Sequence, residues 1–241
     1  MRSVIVVPAR WASTRFPGKP LAPIAGVSLI RRVYERAVAS RGAAAVYVAT
    51  DDDRIEQHVL GFGGKVLRPT GDYQTGTDRI AAALQLVEEP FDIVVNVQGD
   101  EPLIDVSQVD ALIDVLSTPG GELDMATMAC PLGNDEEFQA RDVVKVVVDA
   151  QDRAIFFSRA PIGSAEVALR HIGVYTYLRA AIERFVSLPQ TPLERAESLE
   201  QLRALHHGFK IAVLRTTKPH LGVDRPEDVA RVESELAKLH A

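Results

Sequence analysis

The sequence predicts an α/β protein with a mixed, mostly parallel central sheet covered by helices on both faces, and a smaller extension in its second half. Two observations carry this. In the first half, short apolar β-branched runs alternate with segments of helical period, in the order βαβαβαβα of a parallel sheet. From residue 125 onward, apolar strands follow one another without long helices between them, which points to an antiparallel or mixed addition.

The elements follow from local composition. Residues 3–7 form a buried strand of β-branched residues. A loop over 8–20 is broken by Pro17, Gly18 and Pro20. Ser28 caps a helix running to residue 39, and 45–49 is the next strand, ending in Thr50-Asp51-Asp52-Asp53. Asp52 and Asp53 read as cap and first turn of a short helix to residue 60, closed by Gly61, Gly63 and Gly64. After a short strand at 65–68, Thr77 reads as the N-cap of a helix with Ile80, Leu84 and Val87 on one face. Residues 93–97 form a strand ending in Gln98-Gly99-Asp100-Glu101-Pro102, and Ser107 caps a helix to residue 116.

In the second half, 125–129, 143–148, 154–157 and 171–178 read as strands. Thr191-Pro192-Leu193-Glu194 is a capping box with proline at the first helical position. Its helix carries Leu193, Ala196, Leu199, Leu202 and Leu205 as a stripe and stops at Gly208. A strand at 211–214 and a terminal helix opened by Pro226 complete the chain. No repeat or Ser/Gly linker interrupts the 241 residues, so 1–241 is read as one domain.

Bulk properties exclude several classes. The net charge of −6, from 27 Lys+Arg against 33 Asp+Glu, disfavours nonspecific nucleic-acid binding, so no nucleic-acid partner is expected. The single cysteine, Cys130, cannot form an internal disulfide, and no Cys/His spacing suggests zinc. No secretory h-region is found and no apolar run reaches about 18 residues, so the expectation is a cytoplasmic protein without membrane partners.

Two features carry chemistry. The loop after the first strand holds Arg10, Arg15 and Lys19 and no acidic residue. It lies where open α/β sheets bind ligands, and its cations suit phosphate oxygens. Ser13, Thr14 and the backbone N–H groups near Gly18 could add donors. The glycine spacing is neither that of a Walker A loop nor of a dinucleotide loop, and a solvated surface loop is the bland alternative. Asp100 and Glu101 follow an apolar strand, where a carboxylate can hold Mg²⁺ alongside phosphate oxygens and water; Gly99 would let the backbone approach a ligand. Asp224, before the last helix, is a second candidate carboxylate or simply a helix-start residue. An acidic pocket of Asp51 and Asp100, as in a phospho-acceptor domain, is the rival arrangement.

Read in order, PARWASTRFPGKPL, VATDDDRI, GDYQTGTDRI, VNVQGDEPLI, VVKVVVDA, FSRAPI, RHIGVYTY, LERAESLEQLR and GVDRPEDV resemble the segments of the 3-deoxy-manno-octulosonate cytidylyltransferase (CMP-Kdo synthetase) family over nearly the whole chain. The resemblance implies a nucleotide-diphospho-sugar transferase-like fold with a dimerisation and acceptor extension within about 130–205. It implies transfer of CMP from CTP to the acidic sugar 3-deoxy-D-manno-octulosonate (Kdo), with Mg²⁺ and release of pyrophosphate, in a cytoplasmic homodimer serving lipopolysaccharide or capsule synthesis.

By the same resemblance, Arg10, Ser13, Arg15 and Lys19 hold the CTP phosphates, the loop 74–79 (Gln74, Thr75, Arg79) and Gln98 contact base and ribose, and Asp100 and Asp224 bind the metal. Lys19, Arg15, Asp100 and Asp224 are thus the catalytic set. Arg159, His171, Tyr175, Glu200 and Gln201 line the sugar site. Independently, strand alternation puts His171, Gly173 and Tyr175 on one face, with room for a ligand over the glycine. Glu200 and Gln201 fall off the Leu199/Leu202 stripe, so they need not be core. The chain departs from the family at 163–169, a short stretch where members carry a longer loop, which implies a more open pocket, one contributed differently, or one tuned to a related sugar.

Overall fold

The computed structural model describes all residues except Ser13, Gln74, Pro119, Gly121, Lys218, His240 and Ala241, and the side chain of Leu239. The chain forms two compact units, Met1–Asp110 with His220–Ala241, and Ala111–Pro219.

The first unit contains β1 (Ser3–Pro8), a small hairpin of β2 (Pro23–Ile24) and β3 (Val27–Ser28), α1 (Leu29–Val38), β4 (Ala43–Ala49), α2 (Asp53–Gly61), β5 (Val66–Leu67), α3 (Gly76–Leu84) and β6 (Ile93–Asn96); α4 (Val106–Ser117) begins in it. β1 lies between β4 and β6 and β5 adds to β4, all parallel. Val4 to Val7 and all four residues of β6 are buried, as uninterrupted apolar runs of a parallel sheet require. Because the strands are parallel, the loop after β1, the acidic turn after β4 and the turn after β6 all leave the same edge. Pro8 pairs with Ala49 and Val6 with Asn96 at that edge.

Three helix starts differ from the sequence reading. Ser28 stands at the N-cap of α1, but its hydroxyl meets His58 Nε2 at 2.7 Å instead of capping. The cap of α3 is Thr75, whose Oγ1 accepts from Asp78 N at 3.1 Å; Thr77 lies inside the first turn. The carboxylate of Asp105 accepts from both the backbone and the hydroxyl of Ser107, so α4 begins at Val106, two residues earlier than a Ser107 cap implies.

The second unit holds β7 (Met125–Pro131), α5 (Asp135–Gln139), β8 (Lys145–Val148), β9 (Ala154–Ser158), β10 (Leu169–Leu178), α6 (Arg179–Ser187), α7 (Pro192–Glu197), α8 (Gln201–His206) and β11 (Ile211–Arg215). β7 pairs antiparallel with β10 and parallel with β11, and β8 pairs antiparallel with β10 and β9, which gives the mixed extension expected. α5, capped by Asn134, and α6, directly after β10, were not anticipated. The register of β10 on β7 slips between Ile172 and Tyr175.

The capping box at Thr191 and Glu194 is present, but the single helix expected after it is two. Ser198, at φ 53°, ends α7 in the left-handed region. The break overturns the leucine stripe: Leu193 and Ala196 are exposed while Glu194 is buried. A buried pair explains it, since Arg203 of α8 donates through Nε to Glu194 Oε2 at 2.9 Å and through Nη2 to Oε1. The chain then returns to the first unit for α9 (Asp228–Leu239), which starts two residues past Pro226 because the Asp228 carboxylate accepts from the N–H groups of Asp224 and Arg225, both at 2.9 Å.

Candidate active site

Opposite charges meet in the first unit. Lys19 Nζ lies 2.8 Å from Asp100 Oδ2 and 3.7 Å from Asp224 Oδ1, and Arg15 pairs with Asp224 Oδ2. Backbone links set this geometry. Val223 N donates to Asp100 O at 2.8 Å, which straps the 222–224 segment to the turn after β6. A Cβ on Gly99 would stand 2.7 Å from Pro8 O, so only glycine lets this turn approach the end of β1. Gly99 thus makes a close approach to Pro8. His220 adds a second latch, with Nδ1 2.9 Å from Glu101 Oε2 and Nε2 2.9 Å from Gln108 Oε1.

The basic loop is closed on itself. Gly18 N donates to Trp11 O at 3.2 Å and Lys19 N to Phe16 O at 3.1 Å. The backbone donors expected near Gly18 are thus used inside the loop. Gly18 adopts φ 70°, and a Cβ there would come within 3.0 Å of the Trp11 ring. That ring carries the Arg54 guanidinium 3.5 Å from its centroid, and Asp52 pairs with Arg54. The Arg54 hydrogen bond, outweighing burial, holds the Asp52 carboxyl below the usual carboxylate range. Arg10 is exposed and takes no ion pair among the described residues. Ser13 lies outside the described residues.

The remaining nucleotide candidates are less uniform. Gln74 lies outside the described residues. The Thr75 hydroxyl is occupied as a helix cap. Arg79 is buried, its Nη1 2.8 Å from Asp51 Oδ1; the contact is an ion pair without hydrogen-bond geometry. Its guanidinium also lies 5.4 Å from the Tyr73 ring centroid. Gln98 Nε2 donates to Asn96 Oδ1 at 3.2 Å. The rival acidic pocket is divided by its counter-ions, since Asp51 answers Arg79 while Asp100 answers Lys19.

In the second unit, the His171 and Tyr175 rings lie 5.5 Å apart and Phe157 meets the His171 ring edge-on at 5.0 Å. A Cβ on Gly173 would meet nothing within 4 Å, which agrees with open space between them. Burial lowers the His171 pKa from 6.5 to about 3. Burial first, then Tyr177 and the Glu200 carboxylate, push the Tyr175 phenol well above its ordinary value, which places Glu200 in the same cluster. Gln201 is only 4% exposed, so it is not a plain surface residue; it turns inward where α8 restarts after Ser198.

Arg159 is fixed at the α7–α8 corner. Its Nε donates to Glu197 O at 2.8 Å, Nη1 to Arg141 O at 3.3 Å, Nη2 to Ser198 O at 3.4 Å and its backbone N to Glu197 Oε2 at 2.8 Å. Lys145, fully buried, supports this corner: Nζ donates to Ala140 O, Val143 O and Arg159 O at 2.7 to 2.8 Å. Burial drives the Lys145 pKa down. Sequence reasoning missed Lys145, although a lone lysine inside the apolar run 143–148 is a visible signal.

A cavity of about 590 Å³ runs along β11, lined by residues including Glu122, Arg153, Lys210, Val213 and Arg215. It contains none of the candidate residues, and its cations are paired with Asp149, Glu122 and Asp152.

For a metal, Asp100 and Asp224 already flank one cation, the Lys19 ammonium, with hard oxygens that stay partly exposed. Two carboxylates of this kind fit Mg²⁺, which completes its shell with phosphate and water. Among the described residues no group of three or more His, Cys, Asp and Glu residues could hold a metal alone.

Comparison with known proteins shows the family. The model of the cytidylyltransferase family matches residues 4–211. The chain is 46% identical to 3-deoxy-manno-octulosonate cytidylyltransferase of Syntrophotalea carbinolica over 253 residues, covering 99% of this chain and all of that one. It is 44% identical to 8-amino-3,8-dideoxy-manno-octulosonate cytidylyltransferase of Shewanella sp. (strain W3-18-1) over 243 residues, covering 98% and 99%. A solved structure of CMP:2-keto-3-deoxy-manno-octonic acid synthetase complexed with CTP superposes with a TM-score of 0.92 at 40% identity, covering 99% of each chain. The family read from the motifs is borne out, and the chain belongs to the cytidylyltransferase family.

Proposed function

We propose that this chain transfers CMP from CTP to Kdo, releasing pyrophosphate, with Mg²⁺ as cofactor. The observation that carries the reading is Lys19 lying between Asp100 and Asp224, 2.8 and 3.7 Å from their carboxylates. On this reading the cations proposed to bind phosphate and the carboxylates proposed to hold the metal share one sheet edge. The family likeness supports a homodimer, a cytoplasmic setting and a role in lipopolysaccharide or capsule synthesis. Among the described residues no helix is long and apolar enough to cross a membrane.

The sugar's anomeric hydroxyl attacks the α-phosphorus of CTP in line. The bond from Pα to the bridging oxygen breaks, pyrophosphate leaves with that oxygen, and the proton of the attacking hydroxyl is lost to solvent. Such transfers depend on positioning and charge neutralisation more than on covalent catalysis. Lys19, Arg15 and Arg10 neutralise the phosphate oxygens. When held by Asp100 and Asp224, Mg²⁺ supplies a Lewis-acid charge at the α-phosphate. Arg159, His171, Tyr175, Glu200 and Gln201 are assigned to the acceptor sugar, with Thr75, Arg79 and Gln98 on the nucleoside.

One observation favours a second acceptor, 8-amino-3,8-dideoxy-manno-octulosonate. The match to the Shewanella relative runs over 243 residues against 253 for the Syntrophotalea one, closer to this chain's 241. The test is pyrophosphate release with each of the four ribonucleoside triphosphates, Mg²⁺ and either sugar. Release with CTP and Kdo supports the first reading. Release with CTP and the amino sugar alone transfers the assignment to the second, and no release with either rejects both.

A further inference from the structure

Thr127 is fully buried on β7, opposite the slip in β10. Its Oγ1 lies 2.8 Å from Val174 O, 3.1 Å from Ile172 O and 2.9 Å from His171 Nε2. A hydroxyl has one proton to give and lone pairs to accept with. Two of its three neighbours are carbonyl oxygens, which only accept, so the Thr127 proton is directed at them, with Val174 O the nearer. The third contact must then be made by a proton on His171 Nε2. With a lone pair on Nε2, one hydroxyl proton would face three acceptors in a buried site, and unmet acceptors there cost about 1–3 kcal/mol each.

The ring's other contacts keep it neutral. It packs against Phe157 and Tyr175, and His171 forms no ion pair among the described residues. Nδ1 therefore carries a lone pair. It takes no hydrogen bond among the described residues, and the His171 residue is partly exposed.

We propose that Thr127 is a positioning residue that fixes His171 as the neutral Nε2–H tautomer, so that His171 meets the acceptor sugar only as a hydrogen-bond acceptor at Nδ1. A hydroxyl or ammonium of the sugar fits there; its carboxylate does not, because two lone pairs would face each other. The sugar part rests on the function proposed above, whereas the tautomer does not.

The test is long-range ¹H–¹⁵N correlation of histidine-labelled protein near neutral pH, with His171 assigned through the H171Q variant. The wild type should show a protonated Nε2 and an unprotonated Nδ1. T127S should keep that pattern, and T127V should lose it, with a rise of about tenfold in KM for the sugar, the equivalent of one hydrogen bond, and no change in KM for CTP. A protonated Nδ1 in the wild type, or an unaltered tautomer in folded T127V, overturns the proposal. If T127V fails to fold, the wild-type and T127S spectra decide. A correct tautomer whose Nδ1 resonance ignores saturating Kdo and the amino sugar overturns the sugar contact alone.

Discussion

Lys19 closes on Asp100, with Nζ 2.8 Å from Oδ2, and this contact joins the loop after β1 to the turn after β6. The two residues are 81 positions apart in sequence. They meet because β1 and β6 are parallel neighbours whose C-terminal ends share one edge. Replacing Lys19 by Met should lower kcat/KM for CTP by roughly 10²- to 10³-fold, as loss of one preorganised charge-stabilising donor does. Stability should change by no more than about 1 kcal/mol, because the pair is partly solvated. Steady-state pyrophosphate release and urea unfolding of K19M check both halves.

Gly99 is the hinge on which that contact depends. Its missing Cβ leaves room for Pro8 O, 2.7 Å from where the Cβ would stand. G99A should destabilise the protein by about 1–3 kcal/mol through forced backbone shifts, and it should reduce turnover because Asp100 moves with the turn. Thermal unfolding and pyrophosphate release together test this; wild-type values in both would show that the turn has slack.

Glu194 and Arg203 form a pair with 4% side-chain exposure each, and it holds α7 against α8. R203M should cost about 3–5 kcal/mol by leaving a buried carboxylate unpaired, while R203M combined with E194M should recover much of the loss. Urea unfolding of the three variants measures the coupling.

His171 makes stability depend on pH. Its pKa is 6.5 before folding and about 3 in the fold, so the unfolded chain binds the proton first as pH drops. The stabilisation is complete above pH 6.5 and is lost as pH falls toward about 3, at up to about 1.4 kcal/mol per pH unit. The residue's partial exposure reduces that slope. Unfolding free energies between pH 7 and pH 5 should fall less steeply in H171Q than in the wild type.

Much of this was legible in the sequence. The parallel strands of the first unit were readable because strands buried on both faces are continuous apolar runs, such as 3–7 and 93–97. Asp100 was readable as a carboxylate at the end of such a run, Lys19 as a cation of the loop after the first strand, and Asp224 as a carboxylate before the last helix. What stayed hidden depends on tertiary partners. Glu194 is buried because Arg203 reaches it across a helix break, which no periodicity encodes. Ser28 looks like a cap but serves His58. Gln201 sits on a helix whose start is set by the left-handed Ser198, so its inward direction could not be read from the leucine stripe. Thr127 looks like an ordinary strand residue until the slip in β10 turns two carbonyls toward it.

The central claim is that Asp100 and Asp224 serve a divalent cation beside the phosphate-binding lysine. The direct measurement is pyrophosphate release from CTP and Kdo as Mg²⁺ is titrated, in wild type and D100N. The account predicts that the wild type loses activity in EDTA and regains it with Mg²⁺, and that D100N stays at least about 10²-fold slower at any Mg²⁺ concentration. Near-normal turnover by D100N, or wild-type turnover that survives chelation, would contradict it.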